Sequence, residues 1–153
     1  MKIAFDMDGV LRSIDLGLLK QCEKDKDFEP MVLSTSMAPL LLNPFLFALP
    51  EEDDIFVVTN CLSKSSEKAK EEWVRHFLGV GTHFLPVRIK GGWGKAYCEP
   101  VARTKIEAML SLGIEVYFED DPSIVKLMRV MTDKIKIIHY GTWITEYTPP
   151  VKK

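Results

Sequence analysis

Residues Lys2–Leu11, KIAFDMDGVL, run from a short apolar segment into two aspartates one residue apart, followed at once by glycine. The apolar part has the length and the Ile/Phe content of a buried β-strand. Asp6 and Asp8 then fall at its carboxyl end, where Gly9 lets the backbone turn sharply. Comparable runs recur at Asp54–Thr59, His83–Ile89, Glu115–Glu119 and Lys134–His139. Several are near-continuous rather than alternating, as expected of strands covered on both faces, which predicts an α/β fold with a mainly parallel five-stranded sheet between helices.

The segments between the strands carry helical punctuation. Ser66–Leu78 sets Ala69, Trp73, Phe77 and Leu78 on one face, and Gly79 follows as a stop. Thr104-Lys105-Ile106-Glu107 reads as a capping box that opens a helix running to about Leu112. Asp121-Pro122 reads as an N-cap and first-turn proline ahead of a helix burying Ile124, Leu127, Met128 and Met131. Between Val10 and Glu52 the pattern is weaker. Ile14, Leu18, Leu19 and Cys22 suit one face of a short helix, Glu23–Glu29 is a solvated charge run, and Met37–Leu49 reads as a helix broken by Pro39 and Pro44. No linker or repeat divides residues 1–153, so one domain is expected, with a fraying tail at 148–153.

Composition bounds the function without naming it. The chain has 153 residues, 46% hydrophobic and 27% charged, with a net charge of -2, so no strong global field draws it to nucleic acid or an anionic membrane. Cys22, Cys61 and Cys98 are scattered, and His76, His83 and His139 lack metal-ligand spacing, which argues against a disulfide framework or a structural zinc site. No signal peptide or membrane-spanning run is recognisable, so a cytoplasmic protein is expected.

In parallel α/β sheets ligands gather at the carboxyl ends of the strands. Here those ends carry Asp6 and Asp8, then Thr59-Asn60, then Glu119-Asp120-Asp121, with Lys105 on the helix leading into the last of these strands. Clustered carboxylates repel one another unless a cation binds, and an oxygen-rich site with open positions suits Mg²⁺. A hydroxyl from Thr59 and an ammonium from Lys105 offer donors for phosphoryl oxygens. Lys95, in the loop KGGWGK at 90–95, is the rival to Lys105, and Trp93 beside it is a weaker candidate for substrate contact. Asp121 is accounted for as a helix cap, and Glu119 as support for Asp120.

The order DMDGVL, Thr59-Asn60, Lys105 and Glu119-Asp120-Asp121 resembles the haloacid dehalogenase-like (HAD) superfamily of aspartate-nucleophile phosphohydrolases, over residues 2 to about 139. The resemblance implies a three-layer, Rossmann-like core. It implies that Asp6 is the nucleophile, that Asp8 is the acid and then the base, and that Lys105 serves both in catalysis and, with Thr59 and Asn60, in binding phosphate. It also implies Mg²⁺ held by the Asp6 carboxylate, the Asp8 carbonyl and Asp120. The expected activity is Mg²⁺-dependent phosphomonoester hydrolysis through an aspartyl-phosphate. Relatives with small substrates carry a large cap, whereas here residues 11–36 leave room only for a flap or minimal cap, and 61–105 are largely used by one helix, one strand and a loop. That predicts an open site suited to a bulky phosphate ester, or a cap from a second subunit. The Lys64–Leu78 segment, with Lys68, Lys70 and Trp73, and the DMDGV opening are similar to the deoxyribonucleotidase branch, which keeps 5'-nucleotidase activity on (deoxy)nucleotides as an alternative. A non-catalytic phosphate-binding or regulatory module with the same fold is the other.

Overall fold

Strand β1 (Lys2–Phe5) is the centre of the molecule, because both of its neighbours pair with it in parallel: β2 (Asp54–Asn60) on one side and β4 (Val116–Glu119) on the other. Strands β3 (His83–Val87) and β5 (Lys136–His139) extend the sheet outward to the order β3-β2-β1-β4-β5, parallel throughout. This is a computed structural model, which describes residues 1–47, 53–89 and 97–141. The chain winds one way from β1 to β3 and then crosses β1 to place β4 and β5. The switch of direction therefore falls between β1 and β4, where a crevice opens at the strand ends.

Alternation along the central strands sends side chains to two cores. Ile3, Phe5, Ile55, Val57 and Phe118 pack with Trp73, Val74 and Leu78 of α3 (Lys64–Leu78). On the other face Ala4, Phe56, Val58 and Tyr117 pack with Val101, Ile106 and Met109 of α4 (Cys98–Leu112) and with Val125 and Met128 of α5 (Pro122–Met131). The expected three-layer, Rossmann-like α/β architecture is thus present. Three of the expected runs are shorter as strands, with His83–Ile89 ending at Val87, Glu115–Glu119 beginning at Val116 and Lys134–His139 beginning at Lys136. Asp121 caps α5 by accepting from the amides of Ser123 and Ile124, as the Asp-Pro signal predicts.

Two local expectations are corrected. Helix α4 begins at Cys98, seven residues before Lys105, so Thr104-Lys105-Ile106-Glu107 is helix interior rather than a capping box. Its true N-cap, Tyr97, has no side-chain cap bond, which removes the usual sequence signal. Pro100 is tolerated there because first-turn amides have no intrahelical acceptor. In the stretch from Met37, Pro39 and Pro44 do more than break a helix. Leu41 N–H bonds the Leu11 carbonyl at 2.8 Å, Leu42 enters the core, and the only helical turn in 37–47 is a 3₁₀ turn at Pro44–Leu46. Residues 48–52 and the expected tail at 148–153 lie outside the described residues.

The insertion after β1 folds as two short helices, α1 (Leu16–Asp25) and α2 (Glu29–Thr35), with a small core of Ile14, Leu19, Cys22 and Met31. Lys26 closes α1 in a left-handed conformation, so the charge run is divided between the two helices and the connection between them. Trp73 secures the return of this excursion, since its indole N–H donates to the Ala38 carbonyl at 2.7 Å and the ring is 2% exposed. Trp73→Ala removes both packing and tether, and is expected to cost about 3–5 kcal/mol in denaturant-induced unfolding.

Candidate active site

The parallel register sets Phe5 opposite Phe118, and the Asp6 amide continues the ladder by donating to the Phe118 carbonyl at 2.8 Å. Asp6 on β1 and Glu119-Asp120 at the end of β4 are thereby delivered to one place. Oxygens of Asp6, Glu119 and Asp120 all lie within 4.8 Å of one another, and all three residues are buried. Gly9 is what allows this approach. With φ +91° it holds a conformation unfavourable to other residues, and a Cβ there would stand 1.9 Å from Asp120 Oδ2.

One cation faces these three carboxylates. Lys105 Nζ donates to Asp6 Oδ1 at 2.9 Å, Glu119 Oε2 at 2.9 Å and the Tyr117 hydroxyl at 2.8 Å, which uses all three ammonium hydrogens. Tyr117 O–H in turn donates to Glu119 Oε2 at 2.8 Å. Burial disfavours the charge on Glu119, yet Lys105 and Tyr117 outweigh it and hold the carboxyl below its ordinary range. Asp6 and Asp120 are less well matched. Burial and the Glu119 charge push Asp6 up to about 7, and burial with the charges of Asp6 and Glu119 pushes Asp120 up to about 10. With all three carboxyls ionised, one ammonium would leave two negative charges uncompensated, and a divalent cation would neutralise them. The hard oxygen donors, their spacing and the Gly9 clearance around Asp120 all fit Mg²⁺.

Asp8 belongs to a separate, cationic half of the site. Arg12 Nε donates to Asp8 Oδ1 at 2.6 Å, and Lys70 Nζ lies 2.9 Å from Asp8 Oδ2. Burial opposes ionisation here too, but the two cations hold Asp8 well below the usual carboxylate range. Lys70 also donates to Thr59 Oγ1 at 2.9 Å and to the Asn60 carbonyl at 2.8 Å. Arg12 is itself fixed, with Nη1 donating to the Thr35 carbonyl at 2.9 Å and its guanidinium over the Trp73 ring.

One cavity of about 440 Å³ gathers every residue singled out from the sequence as a site candidate and described: Asp6, Asp8, Thr59, Asn60, Lys105, Glu119, Asp120 and Asp121. Lys95 and Trp93 lie outside the described residues, whereas Lys105 reaches Asp6 directly. Its place in the middle of α4 also removes the unfavourable helix-end position that the capping-box reading implied. The metal ligand expected from Asp8 is its backbone carbonyl, which leaves its carboxylate to Arg12 and Lys70, and Glu119 joins Asp6 and Asp120 as the third carboxylate of the acidic cluster. Asp121 is occupied as the α5 cap.

In the sequence Lys70 figures only in the similarity of Lys64–Leu78 to the deoxyribonucleotidase branch and not as a site candidate, and Arg12 is not singled out. Lys70 carries a signal in retrospect: it stands four residues after buried Ser66 and three before Trp73, a lysine in the buried stripe of α3. Arg12 carries none, because Asp8 lies four residues before it outside any helix, and its other partners, Thr35 and Trp73, come from distant segments. Lys105→Met is expected to lower unfolding stability by about 3–5 kcal/mol, because it leaves Asp6 and Glu119 buried without their counter-charge. Denaturant titration at neutral pH checks this, and Mg²⁺ should recover part of the loss.

Neither the known protein-family models nor the curated proteins contain a match to this sequence. Solved structures do share the fold. A chain of a structure described as the Pnkp1/Rnl/Hen1 RNA repair complex superposes with a TM-score of 0.59 at 13% identity, over 91% of this chain and 42% of that one. A chain of a second Pnkp1/Rnl/Hen1 complex gives 0.58 at 13% identity, over 91% and 45%. This chain therefore spans less than half the length of either, and at that identity the likeness is one of fold.

Proposed function

We propose that the protein is a Mg²⁺-dependent phosphomonoester hydrolase that works through an aspartyl-phosphate on Asp6. The observation that carries this reading is the division of charge in one cavity. The acidic cluster of Asp6, Glu119 and Asp120, suited to a divalent cation, shares its lining with Asp8, Thr59 and Lys70, whose ammonium is suited to phosphoryl oxygens. The resemblance of the motif order to the HAD phosphohydrolases supports the same chemistry.

In this mechanism an Asp6 carboxylate oxygen attacks phosphorus, the ester P–O bond breaks, and the departing oxygen takes a proton from Asp8. Asp8 then accepts a proton from water as that water attacks the aspartyl-phosphate, and breaking of the Asp6–phosphorus linkage releases inorganic phosphate. Asp6, Asp120 and Glu119 would hold Mg²⁺, whose charge when bound keeps the carboxylates ionised and offsets the phosphoryl oxygens. Lys70 and Thr59 orient the phosphoryl group from the other side. Entry of a phosphate dianion draws Lys70 away from Asp8 and adds negative charge beside it, and both effects raise the proton affinity Asp8 needs in order to act as an acid. Lys105 keeps Asp6 aimed into the cavity through its bond to Oδ1.

Three results test this reading. Hydrolysis of a broad phosphomonoester panel should require Mg²⁺, stop on chelation, and fall by about 10³-fold or more in Asp6→Asn; unchanged turnover in that variant would overturn the nucleophile assignment. Millimolar Mg²⁺ should raise the Tm of the native chain and leave that of Asp120→Asn unmoved. Arg12 is a positioning residue for Asp8, so Arg12→Met should lower kcat for an alkyl phosphate by about 10²-fold. The loss should be far smaller for p-nitrophenyl phosphate, whose leaving group needs no proton, and Arg12→Lys should recover part of it. Equal losses on both substrates would reduce Arg12 to a structural role.

A further inference from the structure

A second, smaller cavity of about 30 Å³ lies between α2 and the first turns of α3. Asp8, Ile14 and Lys70 border both cavities and so separate them, whereas Arg12 and Ser66 border only the smaller one. Two donors there are unspent. Arg12, 2% exposed, donates from Nε to Asp8 Oδ1 and from Nη1 to the Thr35 carbonyl, but its Nη2 has no partner among the described residues. Ser66, 6% exposed, gives its amide to the Ser63 cap, and its hydroxyl likewise meets no described partner. Among the described buried side chains, Asn60 Oδ1 is the only partnerless polar atom shut off from solvent. Nη2 and the Ser66 hydroxyl therefore keep accessible surface, and the cavity that both residues line is where it opens. Buried donors without acceptors are costly, and a ligand that accepts from them removes the cost.

Charge decides the kind of ligand. Asp8 is the only acidic residue of the described lining, and both of its oxygens are taken, Oδ1 by Arg12 and Oδ2 by Lys70. Lys70 spends its three hydrogens on Asp8, Thr59 and the Asn60 carbonyl, so it adds charge here but no further bond. Two cations against one carboxylate leave a net positive charge, and the start of α3 adds its dipole to it. We infer that this cavity is a binding site for a small monovalent anion of chloride size, which accepts from Arg12 Nη2 and the Ser66 hydroxyl. The volume suits one such ion, since about 10–15 Å³ already holds a single water. Ile14, Phe28, Met31, Val32, Leu62 and Ala69 make the rest of the wall apolar, and the Thr35 hydroxyl is spent on the Met31 carbonyl. Phosphate and other oxyanions are disfavoured there, because their further oxygens would leave water without gaining donors. The ion would serve as counter-charge to the guanidinium and bridge the insertion to α3. The site does not depend on the phosphatase reading, and its test needs no turnover.

The experiment follows thermal unfolding of the full chain in sodium chloride and in sodium gluconate of equal ionic strength, gluconate being too large for the cavity. The linewidth of the chloride NMR signal gives a direct measure of binding. Chloride in place of gluconate, up to about 0.2 M, should raise the Tm by about 3–5 °C and then level off. The chloride signal should broaden in the presence of the chain and sharpen when bromide is added as a competitor. Ser66→Ala leaves the Ser63 cap in place and should raise the half-saturating chloride concentration about ten-fold. Arg12→Met should abolish both the Tm gain and the broadening. Ala69→Leu, at a half-buried position of the wall, should abolish the broadening by filling the cavity while leaving both donors, which keeps the test open if Arg12→Met does not fold. Equal Tm values in the two salts, or a chloride linewidth that the chain does not change, overturn the site. A Tm gain and broadening that survive unaltered in Ser66→Ala and Ala69→Leu place the anion elsewhere and overturn it as well.

Discussion

The Lys105 ammonium, enclosed by Asp6, Glu119 and the Tyr117 hydroxyl, is the interaction on which the site depends. It joins the centre of α4 to the ends of β1 and β4, and so ties the helical layer to the two strands that flank the topological switch. Without it, burial of Asp6 and Glu119 side by side would be strongly unfavourable. With it, Glu119 is stabilised as an anion, while Asp6 and Asp120 are left poised for a further positive charge. Local imbalance of this kind is tolerated in a folded protein where a ligand completes it.

The two halves of the cavity are organised by different parts of the chain. The acidic half is built from strand ends and α4, the oldest-fashioned positions for a ligand in a parallel sheet. The cationic half depends on excursions: Arg12 reaches α2 through the Thr35 carbonyl, and Lys70 comes from the sheet-facing side of α3. The insertion is consequently not peripheral to the site. It anchors the guanidinium that holds Asp8, and α1 supplies part of the cavity wall.

Legibility in the sequence followed the physics of each feature. Strands covered on both faces are continuous apolar runs, so β1, β2 and β4 could be read together with the polar residues that end them. Asp120 could be separated from Asp121 because Asp-Pro already accounts for the latter as a cap. Lys105 was legible as a site residue but not in its setting, since a helix that starts at Tyr97-Cys98 lacks a capping side chain. Helix α2 buries only Met31 and Thr35, too few positions to show a period. Lys70 stood out only within the Lys64–Leu78 resemblance and not as a site residue, because helical periodicity is counted on apolar residues and a buried lysine hides in such a count. Arg12 depends on contacts to Asp8, Thr35 and Trp73 that no spacing along the chain encodes.

Asp120 is shaped on two sides by absent atoms. Besides Gly9, Gly141 just beyond β5 adopts φ +135°, and a Cβ there would lie 2.2 Å from the Gly9 carbonyl oxygen and 2.8 Å from Asp120 Cβ. The first loop of the chain and the turn after its final described strand are thus pressed together over a single carboxylate. Steric exclusion adds to the bonds that already join the sheet's outer edge to this site, from Tyr140 N–H to the Glu119 carbonyl and between the His139 ring and the Asp120 carbonyl. A methyl group at residue 141 would displace the Asp120 side chain without touching any of its polar partners, so the geometry of the acidic cluster is enforced as much by where side chains are missing as by where they meet.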